Sequence, residues 1–206
     1  ACGGARTNGN IDYDLDYQDD ALYFGYTAAE TIPPTNPPTG DTKWTQGGVI
    51  RLFTNEDLNG TDVSTTGTTA LNPANWIWSY LMKDIGPVTS SISHLAHYPS
   101  NNNSVPDKAW LYFGTGRFFY REDDTSSTAR KIFSAKEPCL LKMVGTSTDN
   151  TCEDLGVIGY EDSYKVALSD LYNATTTVPS AEADNGWYIS LDPGERVITN
   201  PLASTV

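Results

Sequence analysis

The residues best placed to do chemistry lie near the start of the chain. Asp12-Tyr13-Asp14-Leu15-Asp16-Tyr17-Gln18-Asp19-Asp20 puts carboxylates at the first, third, fifth and ninth positions of a nine-residue run, and Gln18 at the seventh can offer its backbone carbonyl. Calcium is a hard cation that takes about six to eight oxygens at about 2.3–2.6 Å. Alternate placement in a tightly curled loop aims several oxygens at one point. Without a cation, carboxylates so close together repel one another. The run is not a helix–loop–helix calcium hand. Its sixth position is Tyr17 rather than Gly, and its twelfth is Tyr23 rather than Glu. It is expected to be a shorter loop that leads straight into a strand at Ala21, with Asp12, Asp14, Asp16 and Asp20 as side-chain ligands and Gln18 as a carbonyl ligand. Asp19 is left out, because side chains alternate once a strand has begun. A solvated acidic turn is the plainer alternative.

Other candidate chemistry is weaker. His94 and His97 are the only histidines, and no acidic ligand accompanies them, so a metal site there is disfavoured. No G-x-S-x-G elbow supports Ser-His-Asp catalysis. Glu122-Asp123-Asp124 reads as a turn before it reads as an acid/base pair. Gly114-Thr115-Gly116-Arg117 resembles part of a phosphate loop, but an aromatic strand signal follows it, not a helix. Arg117 is therefore expected to be structural, bonding backbone carbonyls or a carboxylate at a corner. Trp44, Trp76, Trp78, Trp110 and Trp187 could line a sugar-binding surface, but packing inside a β domain is the preferred reading. No catalytic set emerges, so the chain is expected not to be an enzyme.

Three cysteines are present. Cys139 and Cys152 flank a polar stretch and suit a disulfide staple in an oxidising compartment, with two free thiols as the plainer alternative. Such a short closed loop contributes roughly 3 kcal/mol in the chain-entropy model. Cys2 is left over. The formal net charge of -13 repels phosphate backbones, which argues against a nucleic-acid partner. No apolar run is long enough to span a membrane. The chain begins at Ala1 without a visible signal peptide, which is expected of a processed chain or an excerpt.

The elements that must position these residues read as strands. Short aromatic and β-branched runs are bounded by Gly, Pro, Asn and Asp. Strands are expected at 21–26, 48–54, 76–80, 88–96, 109–115, 118–122, 129–136, 139–144, 187–190 and 195–199. The stretch 164–171 offers at most a short helix. Two long polar segments, 28–45 and 58–73, are expected to be loops inserted between strands. Leu22-Tyr23-Phe24-Gly25 recurs as Leu111-Tyr112-Phe113-Gly114, 89 residues on. That offset fits two propeller blades of about 45 residues each. The whole chain, 1–206, is expected to be a single β-propeller-like domain or a fragment of one.

Several segments resemble a known family. Trp110–Asp124 (WLYFGTGRFFYREDD), Gly194–Leu202 (GERVITNPL), the early DYDLDYQDDALYFGY, and also WTQGGVIRLFT, GPVTSSIS and KEPC are similar to segments of the PilY family of type IV pilus biogenesis and tip proteins. The resemblance runs from about Asp12 to Leu202. It implies an all-β fold, a modified, partial β-propeller with long inserted loops. It implies bound Ca2+ tied to the balance of pilus extension and retraction, carried here by Asp12, Asp14, Asp16, Asp20 and Gln18. It also implies surface adhesion, export through the periplasm to the cell surface, and pilus subunits, a surface or host receptor, or the remainder of a parent protein as partners. The sequence departs from the family in lacking a large N-terminal region and in stopping where further strands are expected. Alternative readings are a structural subunit of an extracellular filament and a secreted propeller enzyme, a hydrolase or quinoprotein.

Overall fold

A computed structural model describes residues 10–11, 21–28, 44–53, 77–97, 108–119, 123, 129–138, 165–178 and 185–202. The described chain is mostly strand, in two sheets. The first is four-stranded and antiparallel, in the order β1 (Asn10–Ile11), β2 (Ala21–Ala28), β3 (Gln46–Phe53), β4 (Ile77–Met82). The second is five-stranded: β5 (Ser93–His97), β6 (Lys108–Gly114), β7 (Lys131–Lys136), then β9 (Gly186–Ser190) and at its edge β8 (Tyr172–Asn173). Only β8 and β9 run parallel within a sheet. The one helical element whose residues are all described is the 3-10 turn Leu168–Asp170, and no described helix is long and apolar enough to cross a membrane.

Period-two alternation accounts for what is buried. In β3, Val49 and Arg51 share a face, and their register partners are Gly25 and Tyr23 on β2. In the second sheet, Leu111 pairs with Ala135 and Phe113 with Phe133. These faces are closed from water and form one hydrophobic cluster with Leu81, Met82, Val88 and Ile92. The Phe113 and Phe133 rings stack with centroids 5.2 Å apart. Burying one aromatic or large aliphatic side chain contributes about 1.5–3 kcal/mol, so this shared core is the main tie between the sheets.

The sequence repeat falls at corresponding places. Each LYFG copy lies in the second strand of its sheet. The glycine of each is covered by a valine that arrives after the sheet's later strands. Val88 lies over Gly25 and donates its N–H to the Tyr26 carbonyl at 3.2 Å. Val197 lies over Gly114 and donates to the Thr115 carbonyl at 3.1 Å. The repeat is thus a structural unit of glycine strand and crossing valine.

Several expected elements differ. Phe118 and Phe119 are not in a strand, because the Phe119 N–H donates to the Asp123 carboxylate at 2.9 Å and turns the chain. Residues 195–199 form no strand, since this stretch crosses Gly114 instead of pairing along it. The strand expected from Val88 begins only at Ser93; Val88 itself makes an isolated bridge to Gly116. The helical signal at 164–171 resolves into an extended stretch and a single 3-10 turn, closed by Asp170 accepting the Ala167 N–H at 2.9 Å. The expected strand at 139–144, the second inserted loop and nearly all of the first lie outside the described residues.

Candidate functional site

The acidic run itself, with Asp12, Asp14, Asp16, Gln18, Asp19 and Asp20, lies outside the described residues, as do Cys2, Cys139 and Cys152. Its two ends are described. β1 pairs antiparallel with the start of β2, with Asn10 opposite Leu22 and Ile11 opposite Ala21. The residues that flank the run are therefore direct cross-strand neighbours. β2 begins at Ala21, where the sequence placed the end of the loop. Among the described residues no three His, Cys, Asp or Glu side chains group together.

Two residues beyond Ala21, β2 enters a buried charge network. The Tyr23 hydroxyl donates to Glu137 Oε2 at 2.8 Å. Arg51 pairs with Glu137 Oε1 and sends Nε and a terminal nitrogen to Ser79 Oγ at 3.1 and 3.0 Å. Arg51, Ser79 and Glu137 are all 0% exposed. β2, β3 and β4 supply Tyr23, Arg51 and Ser79, and Glu137 comes from the end of β7. Both carboxylate oxygens are occupied and closed from solvent. This arrangement suits a rivet between the sheets, not proton exchange with a substrate.

A second cluster sits at the GTGR corner. Arg117 grips Asp123 Oδ1 through Nε and a terminal nitrogen at 3.0 and 2.8 Å, and donates to the Trp44 carbonyl at 3.2 Å. Arg196 donates to the Arg117 and Asp123 carbonyls and lies 5.2 Å from the centre of the Phe118 ring. Arg130 lies close by. Its pKa is lowered, first by burial and then by Arg117 and Arg196, against the opposing pull of Asp123. The expected structural role of Arg117, a fork bonding a carboxylate and a carbonyl, is the one the structure gives it. Phe118 and Phe119 stand outward from this corner, more than half exposed.

Arg117→Lys keeps the charge but loses the planar fork on Asp123. Hydrogen bonds to charged groups contribute about 1.5–3 kcal/mol, so a loss of about 2 kcal/mol is expected. For a chain of this size that corresponds to a fall in Tm of roughly 4–8 °C. Differential scanning fluorimetry checks it; an unchanged Tm would assign the fork to a ligand or partner instead.

The remaining candidates are dispersed. His94 lies on β5, opposite Leu111, and burial lowers its pKa below 6.5. His97 is also on β5, and positions three apart on a strand do not share a face. The expectation that the tryptophans pack inside fails outright only for Trp78 among the described ones, and Trp76 lies outside the described residues. Trp44, Trp110 and Trp187 are half-buried and Trp78 is exposed, because Trp78, Trp110 and Trp187 alternate onto the outer faces of their sheets. Sequence reasoning missed Arg51 and Glu137. The available signal was the phase of Arg51, which alternates in step with Val49 inside an otherwise apolar strand.

No protein-family model, curated protein or solved structure matches this chain.

Proposed function

We propose that this chain is a calcium-binding, non-enzymatic module of the type IV pilus. In this reading it is a partial β-propeller, exported to the cell surface, that supports pilus assembly against retraction and takes part in adhesion. Asp12, Asp14, Asp16 and Asp20 hold Ca2+ with the Gln18 carbonyl, and water or backbone oxygen fills the remaining positions.

The observation that carries this reading is the Ile11–Ala21 register pair. It holds together the two ends of a nine-residue run rich in carboxylates, so loop closure is already met before a cation binds. The sequence resemblance supports the pilus assignment. The two successive sheets, each with the LYFG strand second, support the propeller reading. A cation that binds the folded loop in preference to the unfolded chain stabilises the fold.

Calorimetric titration of calcium into metal-free protein tests the site. Wild type is expected to release or absorb heat at a single site and to gain thermal stability. Asp16→Ala removes one charged ligand and is expected to weaken binding on the order of tenfold or more, because affinity follows ligand charge and number. Asp19→Ala is expected to bind as wild type does. Equal affinity in wild type and Asp16→Ala overturns the ligand set. A wild type without calcium heat or stabilisation at millimolar metal removes the reading altogether.

A further inference from the structure

Three arginines meet at the GTGR corner, and one of them has nothing to hold. Arg117 is committed to Asp123 and the Trp44 carbonyl. Arg196 is committed to the carbonyls of Arg117, Asp123 and Gly194. Arg130 is only 8% exposed, yet its guanidinium has no hydrogen-bond or ion-pair partner among the described residues. Its place is fixed. A terminal nitrogen lies 3.1 Å from where a β-carbon on Gly86 would stand, beside Thr115, and the Arg130 carbonyl accepts the Leu191 N–H at 2.8 Å. A β-carbon on Gly116 would lie 2.8 Å from the Arg196 β-carbon. The short run Thr115-Gly116-Arg117 therefore has all three arginine side chains around it.

A guanidinium is always charged and offers N–H donors alone, so one nearly closed from water is costly without an acceptor. The charge at the corner is also unbalanced. Among the described residues, three guanidiniums face one carboxylate, Asp123, whose two oxygens already accept from Arg117 and the Phe119 N–H. Glu195 is next to Arg196 in the chain, but it turns back to accept the Asp192 N–H at 2.9 Å. Arg117 and Arg196 push against the Arg130 charge, and Asp123 pulls the other way. Two positive charges are thus left unmatched, in a chain whose formal net charge is -13. Fields are screened over about 8 Å at physiological salt. A compact anion at the corner therefore meets the local surplus first, whereas a long polyanion meets the acidic remainder of the chain as well.

We infer that this corner binds one doubly charged tetrahedral oxyanion, a phosphate or sulfate group, on the Arg130 guanidinium in the field of Arg117 and Arg196. Two negative charges match the local surplus, and the planar fork of a guanidinium suits phosphate-type oxygens. The backbone does not form the cradle, as it would in a phosphate loop. The Thr115 N–H is already bonded to the Lys131 carbonyl, and the Gly116 N–H to the Pro87 carbonyl. The Phe118 and Phe119 rings, both more than half exposed, stand beside the site and offer apolar surface to whatever carries the anion. The site is separate from the acidic run and does not depend on calcium.

Calorimetric titration of sodium sulfate and of sodium phosphate into the calcium-free full chain tests it, with ionic strength held constant by chloride. Wild type is expected to bind one anion and to show a rise in Tm that saturates. Arg130→Gln is expected to bind on the order of tenfold more weakly or worse, since hydrogen bonds to charged groups are the strong ones. It should keep only the gradual, unsaturating stabilisation that sulfate gives folded proteins in general. Should circular dichroism show Arg130→Gln unfolded, Arg130→Lys takes its place; it keeps the charge, loses the fork, and is expected to weaken binding about several-fold. Phenyl phosphate identifies the source of the group. Tighter binding than inorganic phosphate upholds the site and puts the anion on a larger ligand that reaches Phe118 and Phe119; equal affinity upholds it with the free anion as ligand. A wild type without saturable sulfate or phosphate binding, or a folded Arg130 variant that binds as wild type does, would overturn the inference.

Discussion

Glu137→Ala is expected to lower the unfolding free energy by about 3–5 kcal/mol, the range seen when one partner of a buried ion pair is removed. The variant takes from the fully buried Arg51 guanidinium the carboxylate it pairs with, and from the Tyr23 hydroxyl the Glu137 oxygen to which it donates. Desolvated charge is costly in an interior where no water can reach it. Folded domains are stable by only about 5–15 kcal/mol, so this one change removes a large fraction of the total. Urea denaturation followed by tryptophan fluorescence reads the loss as a shift in midpoint at constant slope. Replacing both charges together, as Arg51→Met with Glu137→Leu, is expected to recover most of the loss, because a well-packed apolar pair can match a buried ion pair. A Glu137→Ala protein as stable as wild type would show that the network carries no energetic weight.

Gly25→Ala is expected to cost about 3 kcal/mol, the upper end of the usual penalty for overpacking. A β-carbon at this position would lie 2.6 Å from the Val88 carbonyl oxygen and 2.9 Å from the Val88 β-carbon. Val88 cannot simply retreat. Its N–H is bonded to Tyr26, while the Pro87 carbonyl on its other side accepts the Gly116 N–H at 2.8 Å and Thr89 Oγ1 donates to the Gly116 carbonyl at 2.8 Å. The crossing segment is therefore pinned to both sheets. Gly194→Ala makes the comparison. Its φ of +87° disfavours a side chain, but nothing lies within 4 Å of the added carbon, so backbone strain of about 1–2 kcal/mol is the whole expected cost. Equal midpoints for the two variants in the same denaturation would deny the crowding argument.

The parts of the fold legible in the sequence are those where local pattern and tertiary burial agree. β2, β3, β6, β7 and β9 are apolar or alternating runs that are buried on one face, and their strands fall within a few residues of the expected limits. Where a side chain offers the backbone another partner, the local pattern misleads. Phe118-Phe119 has strand composition, yet the Asp123 carboxylate takes the Phe119 N–H and Arg117 holds that carboxylate in place. Val197 and Ile198 are β-branched, yet they belong to a segment whose partner is a single carbonyl across the second strand. The charge network was illegible for another reason. Arg51 and Glu137 stand 86 residues apart, and nothing in either neighbourhood names the other. The repeated LYFG was legible as a repeat, but its crossing valines were not, because 88 and 197 lie at a different spacing from the tetrapeptides.

The same long separation between Arg51 and Glu137 bears on the order in which the molecule can assemble. The inner face of the first sheet carries the Arg51 guanidinium, whose carboxylate partner Glu137 comes from the second sheet. The matching carboxylate arrives only when β7 has joined the second sheet. An intermediate with one sheet finished lacks the ion pair that ties the two sheets together. Contacts of such high sequence separation slow folding, and here they also make it concerted. Heat or denaturant should release both sheets in a single transition, with tryptophan fluorescence and far-ultraviolet dichroism changing at the same midpoint.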